Sequence, residues 1–262
     1  FISVERPWFE KGLLLVPNEA PSGVMEFERI YNDFKNKPLT KNQIIDAFQP
    51  ILKRYMRINS NEARQFNIDH TDFQWKDLNK KSIKKILFLP SSRAEILADI
   101  DFDKDDWSHP VEGLKYLINK NILDPNDIIV RFHPIWSEIL FNKEGENIIN
   151  YFKSFCEEYK VKYINSEEKV DTNSLIRQSD LLIINGSSSF FEASIIGKPI
   201  LSLAKSFYDC SNIALNFHSP KDLLKTRLFF NHNFKIDKKL QIKKSLRFLY
   251  AFKNRFTQLI DN

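Results

Sequence analysis

The sequence is poor in cysteine and contains no long apolar segment. Only two of its 262 residues are cysteine, Cys156 and Cys210, which is too few for a disulfide framework and fits a reducing compartment. No apolar run approaches the ~20 residues that a membrane-spanning helix needs, and no secretory signal opens the chain. We therefore expect a soluble, cytoplasmic protein.

The remaining composition is that of a globular protein. Apolar residues make up 42% of the chain and include 23 Phe, so the sequence does not belong to the disordered class. A length of 262 residues corresponds to one large domain or two small ones, and it is sufficient to bury a core.

Positive charge is concentrated near the C-terminus. The net charge is +5, and residues 235–255 carry many lysines and arginines against a single acidic residue, Asp237. Leucines and phenylalanines recur between them at roughly helical spacing. Two interpretations stay open: a basic amphipathic helix in peripheral contact with the inner face of an anionic membrane, or a terminal helix with a solvated basic side. Nucleic acid is not an expected partner, because no recognised binding motif accompanies the charge.

The first 80 residues are predicted to be irregular and mainly helical. The chain opens with Phe1 rather than Met, so we expect it to begin inside a longer protein. Thr40 has the spacing of a capping-box residue at the start of a helix over residues 41–55, and Pro50 predicts a kink or a break in that helix. We interpret residues 1–80 as the end of a preceding domain plus a helical linker.

From residue 84 onward, short apolar runs alternate with amphipathic helical stretches. The runs are residues 86–89, 128–131, 161–164, 181–184 and 200–203, and the helical stretches lie near residues 111–121, 144–159, 173–179 and 189–196. Strands that are apolar on both faces and alternate with helices indicate a parallel sheet covered on both sides. The predicted fold class is therefore α/β, with a Rossmann-like domain over residues 81–262 that ends in a basic helix.

Ligands of such sheets bind at the carboxyl ends of the strands, so the residues that follow each run are candidate site residues. Ser91, Ser92 and Arg93 follow the first run. Their hydroxyls and guanidinium suit an anion at a strand-to-helix turn. An ordinary helix cap would use the same residue types without a ligand.

Arg131, His133 and Pro134 come at the end of the second run. Imidazole can donate to a phosphate oxygen, or protonate a departing one, near neutral pH. Pro134 disfavours the helical conformation for the residue before it, which presents His133 at the strand end. We predict all three as ligand-binding residues and His133 as a catalytic residue, against the alternative of a structural histidine.

The most prominent pattern follows the fourth run. Gly186 permits a tight turn, and Ser187, Ser188 and Ser189 then lead into a helix N-terminus, whose free amides and dipole attract anions. Glu192 lies about one turn into that helix, where its carboxylate could accept hydrogen bonds from a ribose diol. A capping box between Ser189 and Glu192 would explain two of these residues without a ligand, but it leaves the other three unexplained.

The residues around this motif resemble the C-terminal domain of GT-B glycosyltransferases. More narrowly, they are similar to bacterial capsule and lipopolysaccharide proteins, including Kdo transferases and polysialyltransferases. These families carry a His-Pro motif and a downstream serine-rich motif, which His133-Pro134 and Ser187 to Ser189 match. The resemblance covers about residues 84–210, and its matching segments are residues 170–180, 181–184, 186–189, 192–193 and 197–199.

The resemblance implies a glycosyltransferase of surface-polysaccharide synthesis that binds a nucleotide-activated sugar, for example a CMP-linked acidic sugar such as Kdo, and a glycan or glycolipid acceptor. It implies that His133 and the three serines contact phosphate and that Glu192 contacts ribose. Fixed dipoles together with His or Arg can neutralise a departing phosphate, so neither a metal nor a cofactor is predicted. Alternate carboxylates in residues 99–106 would suit a divalent cation, but we interpret them as a solvated loop.

A GT-B enzyme has two Rossmann-like domains with its active site between them, whereas one is predicted here. We expect the other half to be missing from this chain, or acceptor binding to be supplied by a partner. Two alternatives stay open. One is an enzyme like the UDP-sugar 2-epimerases, which have the same fold, and the other is a non-catalytic nucleotide-binding or partner-binding domain of a polysaccharide assembly complex.

Overall fold

A computed structural model describes residues 1–5, 7, 9, 12–18, 24–56, 58, 74–75, 83–91, 106–109, 111–138 and 142–259. The strands are β1 (Ile2–Glu5), β2 (Gly12–Pro17), β3 (Ile86–Leu89), β4 (Ile128–Arg131), β5 (Lys162–Ile164), β6 (Leu181–Ile184), β7 (Ile200–Ser202), β8 (Leu215–Asn216) and β9 (Thr257–Leu259). The α-helices are α1 (Val24–Phe34), α2 (Lys41–Tyr55), α3 (Glu112–Asn119), α4 (Ile135–Glu138), α5 (Asn142–Tyr159), α6 (Thr172–Gln178), α7 (Phe190–Ile195), α8 (Leu223–Asn231) and α9 (Lys238–Ala251).

Six parallel strands form the central sheet in the order β5-β4-β3-β6-β7-β8. Every residue of β3, β4, β6 and β7 is buried, which explains why these runs are almost entirely apolar: both faces of the sheet are covered. The predicted α/β fold with a Rossmann-like parallel sheet is confirmed, and each of the predicted runs forms one of its strands. β8 escaped prediction because a run of two residues is too short to show a period.

The strand order reverses between β3 and β6. From β3 the chain moves through β4 to β5 on one side of the sheet, whereas β6, β7 and β8 extend the sheet on the other side. Leu89 and Ile184 lie side by side at the carboxyl ends of the two central strands. A crevice opens at such a reversal because the connecting segments leave the two strands toward opposite faces of the sheet. The loops that follow Leu89 and Ile184 therefore meet at the topological switch point.

The helix α2 begins and continues as local sequence chemistry requires. The hydroxyl of Thr40 accepts a hydrogen bond from the backbone N–H of Gln43 at 3.3 Å, and the side-chain oxygen of Gln43 accepts one from the backbone N–H of Thr40 at 2.9 Å. The predicted capping box is thus confirmed. The predicted break at Pro50 does not occur, because α2 continues through this residue to Tyr55.

One apolar core joins the first 60 residues to the sheet. Phe27 of α1 is fully buried, and its ring centroid lies 4.8 Å from that of Phe248 in α9. Ile51 of α2 belongs to the same buried cluster as Leu87 and Leu182 of the central strands. At the opposite end of the chain, β9 pairs with β2, so β1, β2 and β9 form a second, antiparallel sheet. The predicted boundary near residue 80 falls between two segments that share this core.

The basic C-terminal helix packs its apolar side inward. Asp237 caps α9 by accepting a hydrogen bond from the backbone N–H of Leu240 at 3.0 Å. Phe248, Leu249 and Phe252 are buried in the core and are not available to a membrane, whereas peripheral contact through the basic side of residues 235–255 stays a prediction. Among the helices that the structure describes, none is both long and apolar enough to span a bilayer.

Candidate functional site

The loops after β3 and β6 meet at the switch point. The backbone N–H of Ser91 donates to the side-chain oxygen of Asn185 at 2.6 Å. Gly186 has a φ of +105°, which favours glycine, and a side chain at this position would approach the Ser91 hydroxyl to 3.8 Å. The fold thus brings together Ser91 and Gly186, two predicted site residues that are 95 positions apart in the sequence. Ser92 and Arg93, which were predicted with Ser91, lie outside the described residues.

Asn185 is a site residue that the sequence prediction missed. Its side chain is fully buried, and its amide nitrogen Nδ2 has no hydrogen-bond partner among the described residues. An unsatisfied buried donor costs roughly 1–3 kcal/mol, a cost that an acceptor oxygen of a ligand would remove. The available signal was its place directly after β6, where a polar residue follows four apolar ones.

The serine loop presents backbone donors at the same point. Ser187, Ser188 and Ser189 are all half-buried, and the Ser187 hydroxyl accepts a hydrogen bond from the Ser189 backbone N–H at 3.2 Å. Within the described part of the chain, no acceptor contacts the backbone N–H of Ser187 or Ser188. Ser189 precedes α7, yet its side chain makes no capping hydrogen bond. The capping-box explanation of this motif is therefore wrong, and anion binding by the loop stays a prediction.

Tyr208 stabilises this loop through a hydrogen bond to its backbone. Its hydroxyl accepts a hydrogen bond from the Gly186 backbone N–H at 3.0 Å and lies 3.5 Å from the Ser202 hydroxyl. Its ring stacks on Phe190 with centroids 4.3 Å apart. Burial raises the pKa of Tyr208 well above its usual range, so the hydroxyl stays neutral at physiological pH. The residue holds the loop in place and was not predicted, because its position depends on the tertiary fold.

Glu192 is buried and already has a cationic partner. Its carboxylate oxygen Oε1 lies 2.5 Å from Nη1 of Arg54, and the Tyr55 hydroxyl donates to the Glu192 backbone carbonyl at 3.4 Å. Both partners belong to α2. Ribose binding by Glu192 stays a prediction, whereas its ion pair attaches the N-terminal helix to the serine loop. Arg54 was not predicted, since 138 positions separate it from Glu192.

Arg131 and His133 occupy different environments after β4. Arg131 is buried and donates to the backbone carbonyls of Asn165 and Glu168, the second at 2.8 Å, and burial lowers its pKa to about 10. His133 is exposed, and its Nδ1 accepts a hydrogen bond from the Ile135 backbone N–H at 3.1 Å. The neutral imidazole therefore carries its proton on Nε2. Contacts of these two residues, and of the half-buried Pro134, with a nucleotide-sugar ligand stay predictions.

A second group of polar side chains lies where β7 and β8 end, and we call it the carboxyl-edge charge cluster: Asp106, Lys205, Asp209 and His218. Lys205 pairs with Asp106 at 3.0 Å, and His218 Nε2 lies 3.6 Å from Asp209 Oδ2. Burial raises the pKa of Asp209 to about 7 and lowers that of His218. A carboxyl group that ionises near neutrality can hold or release a proton at this edge.

Sequence reasoning located this cluster only in part. Asp106 is the last carboxylate of the acidic stretch that was predicted to be a solvated loop, yet its side chain is only 8% exposed. Residues 99–105 lie outside the described residues. Asp209 and His218 carry no local motif and meet only because β7 and β8 are neighbours. In the described part of the chain, no three His, Cys, Asp or Glu side chains are grouped as metal ligands.

Comparisons with known proteins show which solved structures are similar in fold. No family model matches the chain, and no curated protein matches its sequence. Among solved structures, the KpsC β-Kdo 2,4 transferase of Thermosulfurimonas dismutans is similar over 99% of this chain and 73% of its own, with a TM-score of 0.54 and 13% identity. The KpsC β-Kdo 2,7 transferase of the same organism is similar over 99% and 71%, with a TM-score of 0.53 and 17% identity. The chain therefore shares its fold with these two Kdo transferases, in agreement with the resemblance in its sequence.

Proposed function

We propose that this chain is a GT-B glycosyltransferase of bacterial surface-polysaccharide synthesis that binds its nucleotide-activated sugar at the switch point. The observation that carries the proposal is the meeting of the loops after β3 and β6, where the Ser91 backbone N–H contacts Asn185 and the serine loop begins. In a doubly wound sheet this is where nucleotides bind.

The donor groups at the switch point suit a sugar nucleotide. The backbone N–H groups of Ser187 and Ser188 and the amide nitrogen of Asn185 are hydrogen-bond donors without acceptors among the described residues. Fixed donors of this kind stabilise the negative charge that develops on a departing phosphate. His133, with its proton on Nε2, is the proposed hydrogen-bond donor to that phosphate. These residues can do this without a metal ion.

A CMP-linked acidic sugar is the proposed donor, and Kdo is the sugar we would test first. The two similar solved structures are Kdo transferases by name, and the similarity extends over nearly the whole of this chain. The serine-rich and His-Pro motifs, which the resemblance connects with phosphate contacts, lie on the same carboxyl edge of the sheet. We further propose a glycan or glycolipid acceptor, whose hydroxyl would approach from the open side of this edge.

Calorimetric titration with CMP, UDP and GDP tests the donor site. We expect CMP to bind and Ser188→Ala and His133→Ala each to weaken its binding by about tenfold, since each removes one hydrogen bond to a charged group. Ser154→Ala, an exposed serine of α5, is the matched control and should bind like the wild type.

The other outcomes separate the alternatives. Binding of UDP in place of CMP would favour the enzyme like the UDP-sugar 2-epimerases. If no nucleotide binds to the folded chain, or if both variants bind CMP as well as the wild type, the donor site is wrong and the non-catalytic interpretation takes its place.

A further inference from the structure

A basic groove lies at the amino ends of the central strands, opposite the switch point at their carboxyl ends. We call it the amino-edge groove. It has a volume of about 850 Å³ and is open to solvent. Its lining residues precede β3, β6 and β7 or connect α8 to α9. The lysines, arginines and acidic residues in this lining are Lys84, Arg177, Asp180, Lys198, Lys235 and Lys238. Because the strands are parallel, this edge is about 10 Å from the carboxyl edge at the nearest point, and it shares no residue with the donor site.

Positively charged residues outnumber acidic ones in the described lining of the groove. Asp180 is the acidic residue among the described lining residues, against five lysines and arginines. Arg177 already pairs with Asp171 at 3.6 Å, and Lys198 donates to two backbone carbonyls. Among the described residues, no acidic side chain pairs with the exposed Lys235 or Lys238. Like charges brought together in a concave surface repel each other. An anionic partner would relieve this repulsion.

Exposed aliphatic side chains accompany the charge. Ile83, next to Lys84, is 88% exposed, Leu240 of α9 is 48% exposed, and Ile196 in the groove lining is 38% exposed. Lysines beside exposed aliphatic tips are typical of surfaces that rest on the headgroups of an anionic bilayer. This surface differs from the apolar side of α9, which is buried in the core.

An acidic glycan fits the groove less well. Sites that bind organic ligands are commonly lined by aromatic side chains that the ligand contacts. Among the described lining residues there is no Trp or Tyr, and Phe234 is buried. A sugar would therefore find charge in the groove but no flat ring on which to stack.

We propose that the amino-edge groove and the first turn of α9 form a docking surface for an anionic phospholipid bilayer. Lys84, Lys235 and Lys238 approach the headgroups, and the aliphatic side chains of Ile196 and Leu240 rest at their level. In this orientation the carboxyl edge faces away from the bilayer. The chain would hold its nucleotide in the aqueous phase while it is attached to the membrane.

Co-sedimentation with vesicles tests the proposal. The full chain should bind vesicles of phosphatidylcholine mixed with phosphatidylglycerol, bind pure phosphatidylcholine only weakly, and dissociate as salt is added. Lys235→Glu combined with Lys238→Glu should lower the partition coefficient at least about tenfold, since each lysine near an anionic surface contributes severalfold. Both side chains are exposed, and an acidic residue in the first turn of α9 is compatible with the helix dipole.

A charge-matched control distinguishes this surface from general basicity. Lys143→Glu combined with Lys169→Glu changes the net charge by the same amount on exposed residues that follow β4 and β5 at the other edge, and it should leave vesicle binding unchanged. If the first pair does not fold, Lys235→Gln combined with Lys238→Gln removes the charge without adding repulsion. The same measurement then applies.

Three outcomes would overturn the proposal. One is equal vesicle binding by the wild type and the amino-edge variant, and another is an equal loss in the control pair. The third is binding to soluble alginate, without vesicle binding, that the amino-edge variant abolishes, because this would assign the groove to an acidic glycan. None of these readouts depends on nucleotide binding, so the donor site and the docking surface can fail separately.

Discussion

Asp209 illustrates how one residue of the carboxyl-edge charge cluster responds to its surroundings. Burial raises the pKa of its carboxyl from 3.8 to about 7, with the charges of Asp106 and Glu28 acting in the same direction, while a hydrogen bond from Ser206 and the charge of Lys205 oppose the shift. The unfolded chain therefore releases this proton near pH 4, and the folded protein retains it to about pH 7. The stability connected with the neutral carboxyl is complete below about pH 4 and is lost as the pH rises to about 7.

Asp209→Asn should remove this pH dependence. We expect the variant to be more stable than the wild type by about 1–3 kcal/mol at neutral pH, and by little at acid pH. Urea unfolding at a series of pH values measures the difference. His218, whose pKa burial lowers, contributes in the opposite sense: its contribution to stability is complete above about pH 6.5 and is lost as the pH falls below that value toward the pKa of the folded state. A second series in a His218→Gln background therefore isolates the carboxyl.

The control for this series is Asp33→Asn, which removes an exposed carboxylate of α1. A gain in stability from Asp209→Asn that is the same at acid and neutral pH would show that the folded protein does not hold the Asp209 proton.

At the scale of elements, α2 and α7 are joined by a buried ion pair. The side chains of Arg54 and Glu192 are 17% and 4% exposed, so the charges are largely removed from water. Such a pair adds little net stability relative to apolar neighbours, but loss of one partner leaves a buried charge without compensation. The main effect of the pair is therefore to fix the position of α2 relative to α7, which follows the serine loop, and not to raise the free energy of unfolding.

A double-mutant cycle measures this connection. Arg54→Met should destabilise the protein by about 3–5 kcal/mol, and adding Glu192→Gln should recover part of that loss, because the uncompensated carboxylate is then neutral. Urea unfolding gives the coupling energy. The pair Arg29 and Glu26 of α1 is the control, since Arg29 is 65% exposed and Arg29→Met should leave the free energy of unfolding almost unchanged. Strict additivity of the Arg54 and Glu192 changes would contradict the assigned role.

At the scale of the whole molecule, the N-terminal helices and the sheet share a core. Phe27 of α1 contacts the rings of Phe248, Phe252 and Phe256 at centroid distances between 4.8 and 5.4 Å. These rings belong to α9 and to the π-helical turn Phe252–Phe256 that leads into β9. We therefore expect the N-terminal segment and the Rossmann-like unit to unfold together.

Phe27→Ala tests this coupling. Truncation of a fully buried Phe should cost about 3–5 kcal/mol and lower the midpoint of one common transition. Far-ultraviolet circular dichroism and tryptophan fluorescence should give the same urea midpoint in the wild type and in the variant. Phe1→Ala, which truncates an exposed ring, should leave the midpoint unchanged. Two separated transitions would instead support independent folding of residues 1–80.

Local patterns in the sequence were enough to predict the strands and helices of the α/β unit. The runs that became β3, β4, β6 and β7 are apolar because both faces of the sheet are covered, and a covered strand carries that property in consecutive residues. The serine loop and the His-Pro pair could be predicted for the same reason: each lies directly after a strand, where ligands of parallel sheets bind.

Which of these residues are neighbours depends on the path of the chain through the folded protein. The contact of Ser91 with Asn185, the Arg54–Glu192 pair and the cluster around Asp209 join segments that are separated in the sequence and meet through the path of the chain. The same holds for residues 235–255, whose period predicted an apolar side but did not reveal that the core covers it. Periodicity records how deeply a side chain is buried, whereas the identity of its partner depends on strand order and helix packing, which no local pattern contains.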